Sequence, residues 1–302
     1  MDIQKMLATV PHLEKEPAVA LETTVLTHGM PYPQNVECAL ACEEEIRKAG
    51  GKPYTIGIID GEIRVGLTED EIKALGRNTS AIKVSRKDLP YCIAEGLTGS
   101  TTVAATMIIA HMAGIKVFAT GGIGGVHRGF EETMDVSSDL EEFSKTPVNV
   151  VCAGPKAILD IPRTMEYLET KGIPVIGYQT ETLPLFYTRK SDFPLDVVAR
   201  DAKDAARLIH ISEMLGLKQG SLFVNPVPVE YSLNPSFVES KIHGALAMMA
   251  KDGIHGKKVT PYLLDKLVGL TGGKSLETNI ALIRNNSKVA GAIACELAKL
   301  QG

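Results

Sequence analysis

The sequence predicts a layered α/β protein with helices on both faces of a mixed β-sheet. Short apolar runs typical of buried strands alternate with longer amphipathic segments typical of helices over most of the 302 residues. The dipeptide Asp60-Gly61 between two strand-like runs indicates a hairpin, so part of the sheet should be antiparallel. No linker-like stretch, internal repeat or low-complexity tract interrupts the pattern, and we therefore expect one domain over residues 1–302.

Each predicted strand is a short apolar run bounded by turn-forming or polar residues. The predicted strands are 18–21, 52–59, 62–66, 81–84, 115–119, 148–152, 173–177 and 221–224. Two of the predicted helices begin with capping boxes, at Thr68 with Glu71 and at Ser138 with Glu141. The predicted helices are 33–49, 69–76, 102–113, 140–144, 157–170 and 195–215, followed from about 236 by helical sequence with breaks near 253–256 and 271–273.

Composition and charge argue against several classes of protein. Hydrophobic residues make up 44% of the chain and charged residues 23%, which is enough for a sizeable core. The formal net charge of −4 argues against a nucleic-acid-binding or basic membrane-surface protein, so an anionic substrate would need a local basic pocket. The five cysteines form no CxxC pair, and no signal-peptide core or membrane span is visible. These features predict a reduced, cytoplasmic protein without structural zinc or disulfides.

Lys156 is the most informative single residue. It follows the apolar run 148–152 and the Gly154-Pro155 break, where a helical pattern begins. This position predicts a lysine in the first turn of a helix, where exposed N–H groups carry partial positive charge and disfavour a second cation. Such an amine should lose its proton more readily than a surface lysine, and a neutral lysine forms imines with a carbonyl carbon or a sugar C1. The alternative is a solvated lysine in a loop.

Other polar residues also accompany the predicted strands. Glu22 and the glycine-rich loop 120–129 each follow a strand directly, and Lys83 lies within one. In α/β sheets, ligands bind beyond the carboxyl ends of the strands. Together with Lys156 and with His127 from the glycine-rich loop, these residues predict one active site at that edge of the sheet.

Three polar segments resemble anion-binding motifs. In TGGIGGVHRG, His127 stands where a dinucleotide fingerprint needs its third glycine, and no helix clearly opens there. In GLTGGKS, Val268 stands where a Walker A motif needs its first glycine, so a turn between two helices is the better interpretation. The segment 99–102, GSTT, precedes an apolar helix and either binds a phosphate or supplies Ser100 or Thr101 as a helix cap.

Three further polar residues are ambiguous from their local sequence. Asp135 has no evident structural duty, and a single carboxylate completed by water is a typical ligand set for magnesium or manganese. Asp139 lies in a first helical turn, where the helix dipole favours a carboxylate in any case. Asn279 lies in an apolar helical stretch, where a hydrogen-bonded core amide is the simpler interpretation and a base-recognising amide is the alternative.

Six segments of the chain closely resemble those of the pseudouridine-5′-phosphate glycosidases. They are ALETTVLTHGMPYPQN, KVSRKDLP, GSTTVAATMIIAHMAGIKVFATGGIGGVHRG, DVSSDL, VCAGPKAILD and TGGKSLETNIALI, in the family's order, over residues 19–298. The departure at the matched sites is Ser138, where many members have alanine. The resemblance implies a three-layer α/β/α sandwich with a mixed, mostly parallel central sheet, and a homotrimer.

The resemblance also implies an activity and the residues responsible for it. The family reversibly splits pseudouridine 5′-phosphate with water into uracil and ribose 5-phosphate, which breaks a carbon–carbon glycosidic bond. Lys156 matches the nucleophile that forms an imine with C1′ of ring-opened ribose, Glu22 matches the proton donor, and Asp135 matches the ligand of Mn²⁺ or another divalent cation. The positions implied to contact substrate are Lys83, Thr102, Val103, His127, Ser137, Ser138, Asp139 and, for uracil, Asn279. Neither nucleic acid nor membrane is implied as a partner.

Three other functions remain open at this point. A related C-glycosidase would act on a different C-nucleotide, since some relatives occur beside genes of pigment biosynthesis. A lysine-dependent aldolase acting on sugar phosphates would also form an imine but would need no nucleobase. A non-catalytic nucleotide-binding protein would need neither a nucleophile nor an acid, so the presence of both Lys156 and Glu22 argues against it.

Overall fold

The computed structural model describes residues 10–301. Within them, ten short strands form one sheet. They are β1 (Ala18–Leu21), β2 (Lys52–Ile59), β3 (Glu62–Val65), β4 (Ile82–Val84), β5 (Gly99–Thr101), β6 (Val117–Ala119), β7 (Asn149–Cys152), β8 (Val175–Tyr178), β9 (Val197–Ala199) and β10 (Leu222–Val224).

The sheet is mixed and mostly parallel, as predicted. The strand order is β4-β5-β2-β1-β6-β7-β10-β8-β9, with β3 paired to β2. Two pairings are antiparallel: β2 with β3, across the predicted Asp60-Gly61 hairpin, and β2 with β5. The other pairings are parallel. Because β4 is parallel to β5, it runs opposite to the central strands.

Helices occupy most of the remaining sequence. They are α1 (Gln34–Lys48), α2 (Glu69–Arg77), α3 (Leu89–Ala94), α4 (Val103–Met112), α5 (Phe130–Thr133), α6 (Ser138–Phe143), α7 (Ile161–Thr170), α8 (Ala202–Met214), α9 (Pro235–Lys251), α10 (Val259–Leu270) and α11 (Lys274–Gln301). Shorter helical turns cover Val25–Gly29, Arg86–Asp88, Val229–Tyr231 and Gly256–Lys258. Across residues 10–301, no helix combines the length and apolar character needed to cross a membrane.

The helices make the fold a three-layer α/β/α sandwich. Every residue of β1, β6, β7 and β10 is buried, which requires cover on both faces of the sheet. The long helix α11 packs over β1, β6 and β7 and against α1 and α8, while α4 packs on β1 and β2 and contacts α6. An apolar cluster runs through the sandwich from Val19 in β1 to Leu297 in α11.

The helix predicted over 157–170 begins later, at Ile161, so the prediction for Lys156 is wrong. Asp160 caps this helix by accepting a backbone N–H of its first turn at 3.1 Å, and Pro162 follows at a position where proline favours a helix start. Lys156 therefore lies in the loop between β7 and α7. Lys156 is therefore not in the first turn of α7.

Neither Ser100 nor Thr101 caps the helix that follows the segment 99–102. Both residues are fully buried in β5, and the Thr101 hydroxyl donates to the carbonyl of Ile56 at 2.8 Å. Thr102 is the cap of α4 and accepts a first-turn backbone N–H at 3.4 Å. Ser100 and Thr101 thus belong to the sheet, whereas Thr102 lines the cavity described below.

Caps also explain two other boundary errors. A single helix was predicted over 195–215, but β9 lies there first, and Asp201 then caps α8. The second predicted capping box is also wrong, because Ser137 rather than Ser138 caps α6. The capping box at Thr68 and the glycine turn between α10 and α11 are confirmed.

Candidate active site

A cavity of about 500 Å³ opens beyond the carboxyl end of β1. All the site residues expected from the sequence line it: Glu22, Lys83, Thr102, Val103, His127, Asp135, Ser137, Ser138, Asp139, Lys156 and Asn279. These residues come from seven separate stretches of chain, so the fold brings them together. Their individual roles stay predictions.

Glu22 lies at the base of the cavity, directly after β1. Its carboxylate accepts a hydrogen bond from the Thr120 hydroxyl, which follows β6. Burial raises the pKa of the Glu22 carboxyl above its ordinary value, against the opposing effects of the Lys156 charge and the Thr120 hydrogen bond. A carboxyl with a raised pKa keeps its proton to higher pH, which suits a general acid.

The Lys156 amine lies in the same cavity, in the loop that follows β7. The chain turns sharply at Gly154, whose φ of 88° is left-handed and where a Cβ would lie 2.3 Å from the Pro184 carbonyl oxygen. Two residues later, Nζ of Lys156 donates a hydrogen bond of 2.6 Å to the carbonyl of Gly122 in the glycine-rich loop. The amine is therefore held in the cavity near Glu22, whose pKa its charge influences.

Lys83 provides a second amine in the cavity, but not from the edge that the sequence predicted. It lies in β4, which runs opposite to the central strands. Burial lowers the pKa of Lys83, as does the charge of Lys156, while Asp139 and Glu22 act in the opposite direction. Lys83 is thus suited either to hold an anion when charged or to compete as an imine-forming amine when neutral.

The Asp139 carboxylate accepts hydrogen bonds from backbone N–H groups around the cavity. It is buried, and its two carboxylate oxygens accept N–H groups of Ala104 at 3.0 Å and Gly124 at 2.9 Å. These bonds tie the glycine-rich loop to the first turn of α4. The most direct effect of Asp139 is therefore to position the loop that also receives the Lys156 amine.

Asp135 and His127 lie side by side at the cavity wall. The backbone N–H of His127 donates to the backbone carbonyl of Asp135 at 3.0 Å. Met134, which has a left-handed φ of 51°, turns the chain into Asp135. Burial lowers the pKa of His127, while the Asp135 charge opposes that change. The histidine is therefore better suited to hydrogen bonding as a neutral ring than to carrying a permanent charge.

The donor atoms around Asp135 fit one type of metal. Among residues 10–301, no group of three or more His, Cys, Asp or Glu side chains is arranged to hold a metal ion. A cation at Asp135 would be bound by a single carboxylate, with water filling most other positions. That arrangement suits Mg²⁺ or Mn²⁺ and does not suit Zn²⁺, which needs several nitrogen or sulfur ligands.

Asn279 brings a buried amide to the cavity from α11. In the described part of the chain, its Oδ1 has no hydrogen-bond partner, although the side chain is buried. The expectation of a hydrogen-bonded core amide is therefore not met. An unpaired buried polar atom costs about 1–3 kcal/mol, and a ligand that donates an N–H to this amide would remove that cost.

His28 also lines the cavity, and the sequence places it in a loop beside other candidate residues. The Thr27 hydroxyl lies 2.5 Å from its Nδ1, and burial and the Lys83 charge lower the pKa of His28. Parts of the lining that the sequence did not indicate include the turn after β4 and the α9–α10 region: Ser85, Arg86, Lys87, Gly256, Lys257, Thr260, Pro261 and Leu264. The turn falls inside the matching segment KVSRKDLP, whereas the α9–α10 residues carry no local signal.

Comparison with known proteins identifies the family. The family model described as indigoidine synthase A like protein matches residues 9–296. A relative from Caldanaerobacter subterraneus, named pseudouridine-5′-phosphate glycosidase, is 53% identical over 95% of this chain and 94% of its own. A relative of the same name from Geobacillus kaustophilus is 54% identical over 94% of each chain. The chain belongs to the pseudouridine-5′-phosphate glycosidase family.

Solved structures share the fold of this family member throughout. An indigoidine synthase A-like protein from Thermotoga maritima superposes with a TM-score of 0.88 at 37% identity, covering 94% of both chains. The prealnumycin C-glycosynthase AlnA, in complex with ribulose 5-phosphate, superposes with a TM-score of 0.87 at 38% identity, over 99% of this chain and 96% of its own. The pseudouridine-5′-phosphate glycosidase family and a C-glycosynthase thus share one α/β/α framework.

Proposed function

We propose that this protein reversibly cleaves the C-glycosidic bond of pseudouridine 5′-phosphate with water, giving uracil and ribose 5-phosphate. The observation that carries the proposal is the pairing, in one cavity, of a carboxyl with a raised pKa and a lysine amine, Glu22 and Lys156. The names of the relatives support the substrate, and the ribulose 5-phosphate complex of AlnA supports a sugar phosphate as ligand.

The first chemical step opens the ribose ring. Glu22 gives its proton to the ring oxygen O4′ as the bond between O4′ and C1′ breaks, and the neutral amine of Lys156 forms a bond to C1′. The product is an open-chain adduct in which C1′ carries both uracil and the lysine nitrogen. A carbon–carbon bond has no lone pair to protonate at the leaving atom, so this covalent route replaces simple acid cleavage.

The second step releases the base. The secondary ammonium formed at Lys156 first returns a proton to the Glu22 carboxylate, and Glu22 then protonates C5 of uracil. The lone pair of the Lys156 nitrogen forms a double bond to C1′ as the C1′–C5 bond breaks, and the electrons of that bond restore the neutral uracil ring. Water adds to the resulting imine and returns the amine, which frees ribose 5-phosphate as the aldehyde. Each step runs in reverse by the same groups, so uracil and ribose 5-phosphate recombine under suitable concentrations.

Substrate recognition follows from the charges and polar atoms of the cavity. Lys83 and neighbouring hydroxyls suit the phosphate dianion, and the unpaired Asn279 oxygen suits an N–H of uracil. Holding both ends of the nucleotide places C1′ near Lys156, which is binding energy used for positioning. We also propose that three copies of this chain assemble into a homotrimer.

Divalent cation dependence is the first test of this site. Asp135 would hold Mn²⁺, which would supply positive charge for binding an anionic substrate. We expect chelation to abolish activity, Mn²⁺ to restore it, and Asp135→Asn to raise the Mn²⁺ concentration needed by at least about tenfold. Glu132→Gln, an exposed carboxylate three residues away, is the control. Full activity of Asp135→Asn with unchanged metal dependence would place the metal elsewhere.

Phosphate selectivity tests the proposed function itself. The protein carries a net charge of −4, yet Lys83, Lys87 and Lys156 line one cavity. We therefore expect uracil release from free pseudouridine 5′-phosphate, with kcat/KM at least about 10²-fold above that for unphosphorylated pseudouridine, because charge-assisted bonds to the phosphate are lost. Pseudouridine within RNA should not react, because flanking phosphates would meet an acidic surface.

The same assay separates this proposal from its alternative. Release of uracil from intact RNA, or equal kcat/KM for nucleotide and nucleoside, would contradict the phosphate-based account. The similarity to AlnA favours one second candidate, a C-glycosidase for another phosphorylated C-nucleoside. Rates measured on a series of such nucleotides with different aglycones decide between the two.

A further inference from the structure

An ion pair joins two segments that contribute to the cavity lining. One wall comes from the α9–α10 hairpin, through Lys257, Thr260, Pro261 and Leu264. Nζ of Lys257 donates to the Asp88 carboxylate at 2.6 Å, in the turn that follows β4. The Lys257 side chain is 50% exposed and that of Asp88 is 16% exposed, so the pair is partly open to solvent beside the cavity.

The Asp88 side of this pair is firmly anchored. Its second carboxylate oxygen accepts the N–H of Ser85 at 3.0 Å, and the Ser85 hydroxyl lies 2.6 Å from that of Ser138. Between them, Arg86 makes a two-pronged bond to Glu142 at 2.6 and 2.7 Å, and the Glu142 side chain is only 1% exposed. The turn is therefore fixed to α6.

The Lys257 side has much weaker support. In the connection 252–258, every residue except Ile254 is exposed. Gly253 and Gly256 have left-handed φ values of 62° and 60°, and no atom lies within 4 Å of the position of a Cβ at either glycine. A segment with few packed contacts and flexible glycines opens at low free-energy cost.

We propose that Lys257 and Asp88 form a clasp that holds the α10 wall over the cavity and so sets how tightly the substrate is retained. Lys257 is a positioning residue in this account, because it acts through the wall and not on the reacting atoms. A partly exposed ion pair is weak, so the clasp opens readily to admit nucleotide and to release products. The kinetic part of this inference rests on the proposed function, whereas the structural part does not.

A direct phosphate contact by Lys257 is the competing explanation, and Asp88 distinguishes the two. If Lys257 binds phosphate, Asp88→Asn frees the ammonium and leaves KM unchanged or lowers it. If the clasp operates, Lys257→Gln and Asp88→Asn weaken retention alike. Asparagine keeps the acceptor for the Ser85 N–H, so this variant retains the turn.

Hydrogen exchange and kinetics together test the clasp. In the ligand-free protein, Lys257→Gln and Asp88→Asn should each speed amide exchange over 252–262 about two- to fivefold, the range for a partly exposed pair. Lys257→Arg should retain slow exchange, and the neighbouring exposed Lys258→Gln is the matched control. The KM for pseudouridine 5′-phosphate should rise by a similar factor in the first two variants, and this rise should account for the fall in kcat/KM.

The two readouts separate failure of the clasp from failure of the proposed function. Unchanged exchange in Lys257→Gln and Asp88→Asn overturns the clasp, whatever the enzyme acts on. An unchanged or lower KM in Asp88→Asn also overturns it, in favour of a phosphate contact. Faster exchange in both variants, in a protein inactive on every nucleotide tried, supports the clasp and counts against the proposed function alone.

Discussion

Lys156→Ala should lose activity by a factor on the order of 10⁴ or more in kcat, because removal of a covalent nucleophile leaves only binding and positioning. Lys156→Arg should lose nearly as much, since arginine stays charged and cannot form the imine. Steady-state kinetics on pseudouridine 5′-phosphate measure both effects. Circular dichroism should remain native, because the lost hydrogen bond to the Gly122 carbonyl is a local contact.

A lysine outside the cavity provides the matched control for this loss. Lys190 is exposed and does not line the site, so Lys190→Ala should behave as wild type. A Lys156→Ala protein that folds normally and retains activity within about tenfold of wild type would exclude lysine catalysis at this position.

Glu22→Gln should lose about 10²- to 10⁴-fold in rate, the usual range for removal of a general acid, while it keeps the shape of the side chain. The pH profile gives a second readout. Because burial raises the pKa of Glu22 and the protonated form is the active one, wild-type kcat/KM should fall as pH rises through that pKa. Glu22→Gln cannot lose a proton, so this alkaline limb should be absent.

Thr120 allows the sign of this effect to be checked. Its hydroxyl donates to the Glu22 carboxylate and lowers the pKa that burial raises. Thr120→Val removes that bond, so the alkaline limb should move to higher pH. A limb that stays in place in Thr120→Val, or persists in Glu22→Gln, would show that another group titrates.

The fold was largely predictable because its signals are local and repeated. Buried strands such as β1 and β10 are continuous apolar runs, and the dipeptide Asp60-Gly61 predicts the hairpin in the antiparallel part of the sheet. The strands β5 and β9 were not predicted. β5 is Gly-Ser-Thr and has no apolar run to mark it, and β9 is a short Val-Val-Ala segment that was assigned to a longer helix.

The sequence predicted many of the residues that line the site, but not the local environment of Lys156 or the packing of the α9–α10 hairpin. Lys156 is in the cavity, as expected, although the reason given for its chemistry was wrong, since the Asp160 cap moves the helix away from it. Lys257 and Thr260 were not predicted, because their contribution depends on how the α9–α10 hairpin packs over the sheet edge. No pattern within that segment reports such packing.

Chemical trapping with borohydride tests the central claim, that Lys156 forms an imine with ribose 5-phosphate. Lys83 lines the same cavity and has a lowered pKa, so it is a credible competitor for the same carbonyl. The protein is incubated with ribose 5-phosphate, reduced, digested and analysed by mass spectrometry. We expect one reduced ribose 5-phosphate adduct on the peptide containing Lys156, and none in Lys156→Ala. An adduct on Lys83, or no adduct at all, would contradict the proposed mechanism.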